Sequence, residues 1–194
     1  MTPRTLAVVA LIALAAPMLS GCVSMAIGAA ATTGVAAAEE RTMGDVVDDF
    51  TTNAQINGDL FAYSERLFQD VSIDVTEGRV LLTGKVPNPD DRVDAVRIAW
   101  QTDGVVEVIN EIQVTETGGV ESYLNDVRIS NELRADLLFD GGVDSINYNV
   151  ETVGGIIYLT GIARNQAELD LVVDHARTIS GVKEIISHVR VKSS

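Results

Sequence analysis

One pattern is written twice in this chain. Residues 78–84 read GRVLLTG, and residues 155–161, 77 positions later, read GIIYLTG. At the same spacing Gly104-Val105 falls on Gly181-Val182, Val106–Val114 falls on Lys183–Val191, and Ile56 and Leu60 fall on Leu133 and Leu137. Self-similarity of this length marks a duplicated structural unit, so the chain is constrained to fold as two copies of one small architecture. In the middle of the pattern VSIDV (Val71–Val75) matches INYNV (Ile146–Val150) at a spacing of 75. That spacing predicts two extra residues between helix and strand in the first copy, balanced by two extra in the hairpin of the second. Length changes of this kind belong in loops.

Hydrophobic periodicity assigns the elements. In the second copy Ile129, Leu133 and Leu137 recur at helical spacing, and Asn125-Asp126 precede them as an N-cap. Ile146, Tyr148 and Val150 alternate with Asn147 and Asn149 as a half-buried strand, and the chain turns at Val153-Gly154-Gly155 into Ile156–Thr160. Asn165 with Glu168 forms a capping box ahead of Leu169, Val172, Val173 and Ala176. Ile185, Val189 and Val191 form the last strand. The first copy gives a helix over about 50–61, strands over 71–76 and 79–83, a helix over 90–102 starting at Asn88-Pro89, and a strand over 106–115. The closing glycines, Gly84 and Gly161, are expected where a strand hands over to a helix. The predicted fold is α+β: two tandem αββαβ units, each a three-stranded sheet packed on two helices. The first unit is placed at residues 45–117 and the second at 120–194.

Charge narrows the partners. Lys and Arg number 14 against 28 Asp and Glu, a formal charge of -14, so phosphate-backbone binding to nucleic acid is excluded as a main task. The acidity is uneven. Residues 39–119 carry 6 basic and 17 acidic side chains, and residues 120–194 carry 7 and 11. The second unit is therefore the less repelled by an anionic surface.

The N-terminus reads as a processing signal. Arg4 precedes an uncharged run from Leu6 to Met18, too short for a membrane span of about 20 apolar residues. The run ends in Leu19-Ser20-Gly21-Cys22, which resembles the bacterial lipobox. That resemblance implies that residues 1–21 are a lipoprotein signal peptide and that Cys22, the chain's one cysteine, carries covalent lipid after cleavage. Two or more acyl chains anchor stably where one does not. Val23 stands where such lipoproteins carry Asp when they are kept at the inner membrane, which implies export to the outer membrane. Residues 22–44, small and uncharged up to Ala38, read as a tether.

Most chemical motifs are absent or have plainer explanations. One Cys gives no internal disulfide and no cysteine-rich metal site. His175 and His188, lone histidines in different elements, are expected to face solvent, and no metal site is expected. Asp48-Asp49 and Asp90-Asp91 are read as acids favouring helix starts rather than as catalytic pairs. Gly78–Gly84 lacks the Lys-Ser/Thr of a phosphate loop. Trp100, with Val93, Val96 and Ala99, is expected in the core. His188, Arg190 and Lys192 alternate onto one face of the last strand and are weaker candidates for a basic contact surface.

Residues 77–84 (EGRVLLTG) and 103–112 (DGVVEVINEI), with 153–161 (VGGIIYLTG) and 180–185 (SGVKEI), resemble the BON-domain family. A lipobox, a small-residue tether and a segment such as ERTMGDVVDD (residues 40–49) ahead of two copies is similar to its dual-domain outer-membrane lipoproteins. The resemblance implies a protein anchored at the outer membrane and facing the periplasm. It would bind an anionic phospholipid membrane and support envelope integrity, with no catalysis and no cofactor beyond the lipid on Cys22. The alternative is an envelope scaffold that recruits protein partners. In that group the first helix of the second domain is the membrane contact, which implies Arg128, Ile129 and Arg134 as the phospholipid-binding residues here. Relatives often carry Trp at the position of Arg128, and a guanidinium there implies headgroup contact.

Overall fold

The duplicated heptapeptide is the second strand of a hairpin in both copies. A computed structural model describes residues 43–115 and 119–192. The expected signal peptide, Cys22 and the tether up to residue 42 lie outside the described residues. In the first repeat β1 (Val71–Thr76) pairs antiparallel with β2 (Arg79–Val86), and in the second β4 (Tyr148–Val153) pairs antiparallel with β5 (Ile156–Ala163). The turn residues Glu77-Gly78 and Gly154-Gly155 all have positive φ, as a two-residue hairpin turn of the tightest type requires.

Strand register corrects the expected spacing of 75. Val71 stands opposite Gly84, and Tyr148 stands opposite Gly161. Val71 and Tyr148 are 77 apart, as are Gly84 and Gly161, so neither copy has an insertion. The VSIDV–INYNV match was a coincidence of apolar alternation. Ser145–Asn147 is a 3-10 turn, with Ile146 exposed and Asn147 buried. The closing glycines also sit within their strands rather than at the ends. A Cβ on Gly84 would come within 2.0 Å of the Asp70 carbonyl oxygen, and one on Gly161 within 1.9 Å of that of Asn147. The incoming chain lies directly against the strand at this point, and only glycine leaves room for it.

Each hairpin receives a third strand by a helical crossover. After α3 (Pro89–Gln101), β3 (Glu107–Val114) pairs parallel with β2. After α5 (Gln166–Thr178), β6 (Glu184–Ser187) and β7 (Arg190–Val191) pair parallel with β5. Parallel neighbours need such a crossover, which is why each repeat places a helix there. The last strand of the second repeat is interrupted at His188-Val189, whereas β3 is continuous. A longer helix precedes each hairpin: α1 (Met43–Tyr63) and α4 (Val120–Phe139). The first repeat adds α2 (Glu65–Asp70), capped by the Ser64 side chain.

Both long helices begin earlier than the periodicity predicts. Asn125-Asp126 lie inside α4 and are not its N-cap, and Asp49 lies inside α1. The inward stripes start with polar residues, Asp49 and Thr52 in α1 and Asp126 and Ser130 in α4. An apolar pattern does not register them. The aspartates serve the hairpins instead. Asp49 accepts the Glu77 and Gly78 amides at 2.8 and 2.9 Å, and Asp126 accepts those of Gly154 and Gly155, both at 2.8 Å. Asp90 and Asp91 do occupy the first turn of α3, where acids favour the helix dipole.

The two cores use equivalent positions. Ile56, Leu60, Val80, Leu82, Ala95 and Ala99 are fully buried in the first, as are Leu133, Ile157, Leu159, Val172 and Ala176 in the second. Full burial of each of the Val, Leu and Ile side chains is worth about 1.5–3 kcal/mol. Helices cover one face of each sheet. The opposite faces meet: Leu81, Val153 and Tyr158 form a third buried cluster, joined by Ile109, Ile156 and Ile186. Leu81 and Tyr158 are 77 apart, as are Ile109 and Ile186, so the repeats meet through equivalent faces, as subunits of a two-fold dimer do. The layers run helix, sheet, sheet, helix.

Polar contacts fix this seam. Glu111 Oε1 lies 2.9 Å from His188 Nε2, the residue 77 positions on. Arg79 donates to the His188 carbonyl at 3.1 Å, Asp74 accepts from Asn149 at 2.7 Å and from Thr160, and Gln113 reaches the Val153 carbonyl at 3.2 Å.

Candidate functional site

Helix α4 presents two distinct faces. Asp126, Ile129, Ser130, Leu133 and Leu137 point inward. Near its N-terminus Val120 (75% exposed), Tyr123 (66%), Leu124 (59%) and Val127 (37%) point outward. The spacing i, i+3, i+4, i+7 aligns them in one apolar ridge. Outward apolar residues at this spacing have no protein core to fill.

The expected contact residues have separate fates. Arg128 is at the surface and donates to Glu132 at 2.5 Å, Asn125 at 3.2 Å and the Ser180 carbonyl at 2.5 Å. It ties α4 to the chain just beyond α5 and keeps a charged edge in solvent. Arg134 is exposed and donates to the Val150 carbonyl and to Asn131. Ile129, by contrast, is fully buried in the second core. It supports the helix from inside and offers no surface to a partner.

The basic face expected on the last strand does not form as one surface. The interruption at residues 188–189 turns His188 into the seam with Glu111, Arg190 pairs with Glu77, and Lys192 is also partnered. Neither histidine is a free solvent-facing group, since His175 Nε2 lies 2.6 Å from Asp140 Oδ2. That bond, with the Gly142 amide, holds the Asp140 carboxyl below its ordinary range. Trp100 is not core either. It is 53% exposed, because Ala95, Ile98 and Ala99 form the buried face of α3 and Val93 also points out.

Beside the ridge lies a cleft that periodicity does not reveal. Its volume is about 400 Å3, and both repeats line it: Asp70 and Lys85 from the first, Tyr123, Val127, Arg134 and Glu151 from the second. Lys85 Nζ is 3.4 Å from Ser122 Oγ and 3.9 Å from Asp126 Oδ2. Burial, reinforced by Asp74 and Asp126, pushes the Glu151 carboxyl up against the opposing pull of Arg134. Burial also raises Asp70. Lys85, Tyr123, Leu124 and Glu151 were not picked out from the sequence. The ridge is readable at helical spacing, but reading Asn125-Asp126 as a cap ends the helix short of it.

Among the described residues no cluster of His, Cys, Asp and Glu is arranged to hold a metal ion, and no helix is long and apolar enough to cross a membrane. The BON domain model matches residues 48–116 and 125–193, one match on each repeat. The chain belongs to the BON-domain family. It is 31% identical over 172 residues to the outer membrane lipoprotein DolP of Haemophilus influenzae, covering 87% of each chain. It is 28% identical over 152 residues to the osmotically inducible protein Y of Escherichia coli, covering 77% of this chain and 76% of that one. To an uncharacterised protein in the gshII 5' region of Anaplasma centrale it is 42% identical over 149 residues, covering 76% of this chain and 97% of its relative. This BON protein keeps the two-fold arrangement of cores while giving its two leading helices different surfaces.

Proposed function

We propose that this BON protein is an envelope protein, anchored by lipid on Cys22 at the outer membrane and facing the periplasm, that binds phospholipid and supports envelope integrity. The observation that carries the reading is the outward ridge of Val120, Tyr123, Leu124 and Val127 on α4. An amphipathic surface helix with aromatic and aliphatic side chains on its free face seats in the headgroup and acyl boundary. Arg128 and Arg134 flank it on the same helix, where guanidinium groups meet the phosphates of an anionic phospholipid membrane. The likeness to an outer membrane lipoprotein supports the location.

The test is flotation of residues 23–194, without acyl chains, on vesicles containing anionic phospholipid. Wild type is expected to float, and Leu124→Asp to remain in solution with an unchanged circular dichroism spectrum. Wild type and Leu124→Asp behaving alike would sink the reading.

A second reading, an envelope scaffold for protein partners, has its own observation. On the first repeat Phe61 and Phe68 stack edge to face at 5.5 Å, and Arg97 lies 5.5 Å over the Tyr63 ring. All three rings are partly or largely exposed, as is Trp100. Aromatic and Arg groups of this kind anchor protein interfaces. Co-purification that is lost with Phe61→Ser while flotation persists would favour the scaffold.

A further inference from the structure

We propose that the cleft between the repeats, beside the α4 ridge, binds the zwitterionic phosphoethanolamine head of a phospholipid, its ammonium against Glu151 and its phosphate against Arg134 and Lys85. The inference rests on the membrane reading and names the headgroup that the surface selects.

Position comes first. Tyr123 and Val127 belong both to the ridge and to the wall of the cleft. A lipid whose acyl chain lies along the ridge therefore has its head at the cleft mouth. At about 400 Å3 the cleft falls within the size range of small-molecule sites, roughly 300–1,000 Å3.

Charge comes second. The lining carries two cations, Lys85 and Arg134, and three carboxylates, Asp70, Asp126 and Glu151. A simple anion meets a net negative wall there, whereas a zwitterion is matched in both signs. The Asp126 carboxylate is already engaged by two backbone amides, and its 3.9 Å separation from Lys85 is a loose pair. Lys85 thus has donors to spare, as does Arg134, which has five N–H groups and uses part of them on Val150 and Asn131. The Glu151 side chain has no hydrogen-bond partner among the described residues, is half-buried, and is destabilised as a charge by burial. An incoming ammonium supplies the missing donors and adds a second positive charge to that of Arg134. A choline head carries no N–H, and a glycerol head carries no cation, so neither satisfies Glu151.

The experiment measures partitioning of residues 23–194 to two vesicle sets with the same anionic fraction, one filled with phosphatidylethanolamine and the other with phosphatidylcholine. Wild type is expected to bind the ethanolamine set about tenfold more tightly, the size of one charge-assisted hydrogen bond. Glu151→Gln removes a half-buried charge and is expected to fold with an unchanged or higher Tm, while its two affinities become equal. Lys85→Gln weakens binding to both sets by removing a phosphate partner. Equal wild-type affinity for the two sets, or a preference that survives Glu151→Gln, overturns the headgroup proposal and leaves the membrane reading standing. Wild type binding neither set overturns both. Free phosphoethanolamine that displaces the protein at concentrations matching the vesicle lipid would show a soluble ligand instead, and would overturn the lipid assignment.

Discussion

The two repeats share a core and differ in the helix each turns outward. Val47 and Phe50 of α1 stand where Leu124 and Val127 stand in α4, 77 positions on, and all four are exposed, Phe50 at 75%. Exposure of apolar residues does not separate the repeats. Charge does. Each helix carries four carboxylates, Asp45, Asp48, Asp49 and Asp59 in α1 and Glu121, Asp126, Glu132 and Asp136 in α4, but α1 contains no Lys or Arg to offset them, whereas α4 carries Arg128 and Arg134. A ridge whose helix carries only carboxylates is repelled by anionic lipid more than one with guanidinium groups beside it. The proposed membrane contact of α4 rests on this difference in basic residues between two similar ridges.

The strongest shared constraint is the strand glycine. Gly84→Ala and Gly161→Ala each force a Cβ onto a backbone carbonyl at positive φ, and each is expected to cost about 4 kcal/mol or prevent folding. Urea unfolding of the two variants checks whether the repeats are equivalent here. A marked difference between them would break the equivalence.

Next in size are the turn-holding aspartates. Asp49→Ala and Asp126→Ala each strand two backbone amides, with an expected loss of about 2 kcal/mol. Asp126→Ala also removes the carboxylate neighbour of Lys85. Thermal melts of the pair sharpen the comparison by measuring what the cleft adds to a common device.

A smaller effect belongs to the second repeat. Burial acts to raise the Glu168 carboxyl, but Arg164 and the amides of Asp144 and Arg164 outweigh it and hold the pKa below its ordinary value. A depressed folded-state pKa gives stability that is present above the unfolded value, near about 4.3, and is lost as pH falls through the folded value. Denaturation at pH 7 and at steps below pH 4.5 is expected to show a steeper acid loss for wild type than for Glu168→Gln.

Much of this was legible in the sequence. Ile56, Leu60, Leu133 and Leu137 announce their helices because burial selects apolar residues at helical spacing. Asn165 accepts the Glu168 amide as its cap, at 3.0 Å. The capping box is completed differently: Glu168 reaches Arg164 and Asp144 rather than the cap residue itself. The hidden parts follow one rule. Asp49 and Asp126 are buried polar groups satisfied by amides distant in sequence, so local patterns misread them as caps. Trp100 misled because one residue turns an α-helix by about 100°, which carries the side chain from the buried side at Ala99 to the open side of α3. The cleft was invisible for the same reason as the seam: Lys85 and Glu151 come to line one cleft through the docking of two sheets, which no periodicity within either repeat encodes.

The account's central claim is that the ridge of α4, and not its counterpart on α1, meets the membrane. Residues 23–194 contain no cysteine, so Leu124→Cys and Val47→Cys each accept one environment-sensitive fluorophore. On adding phosphatidylethanolamine vesicles with an anionic fraction, the account predicts a blue-shifted, brighter emission from position 124 and no change from position 47. Equal responses, or a response confined to position 47, would contradict it.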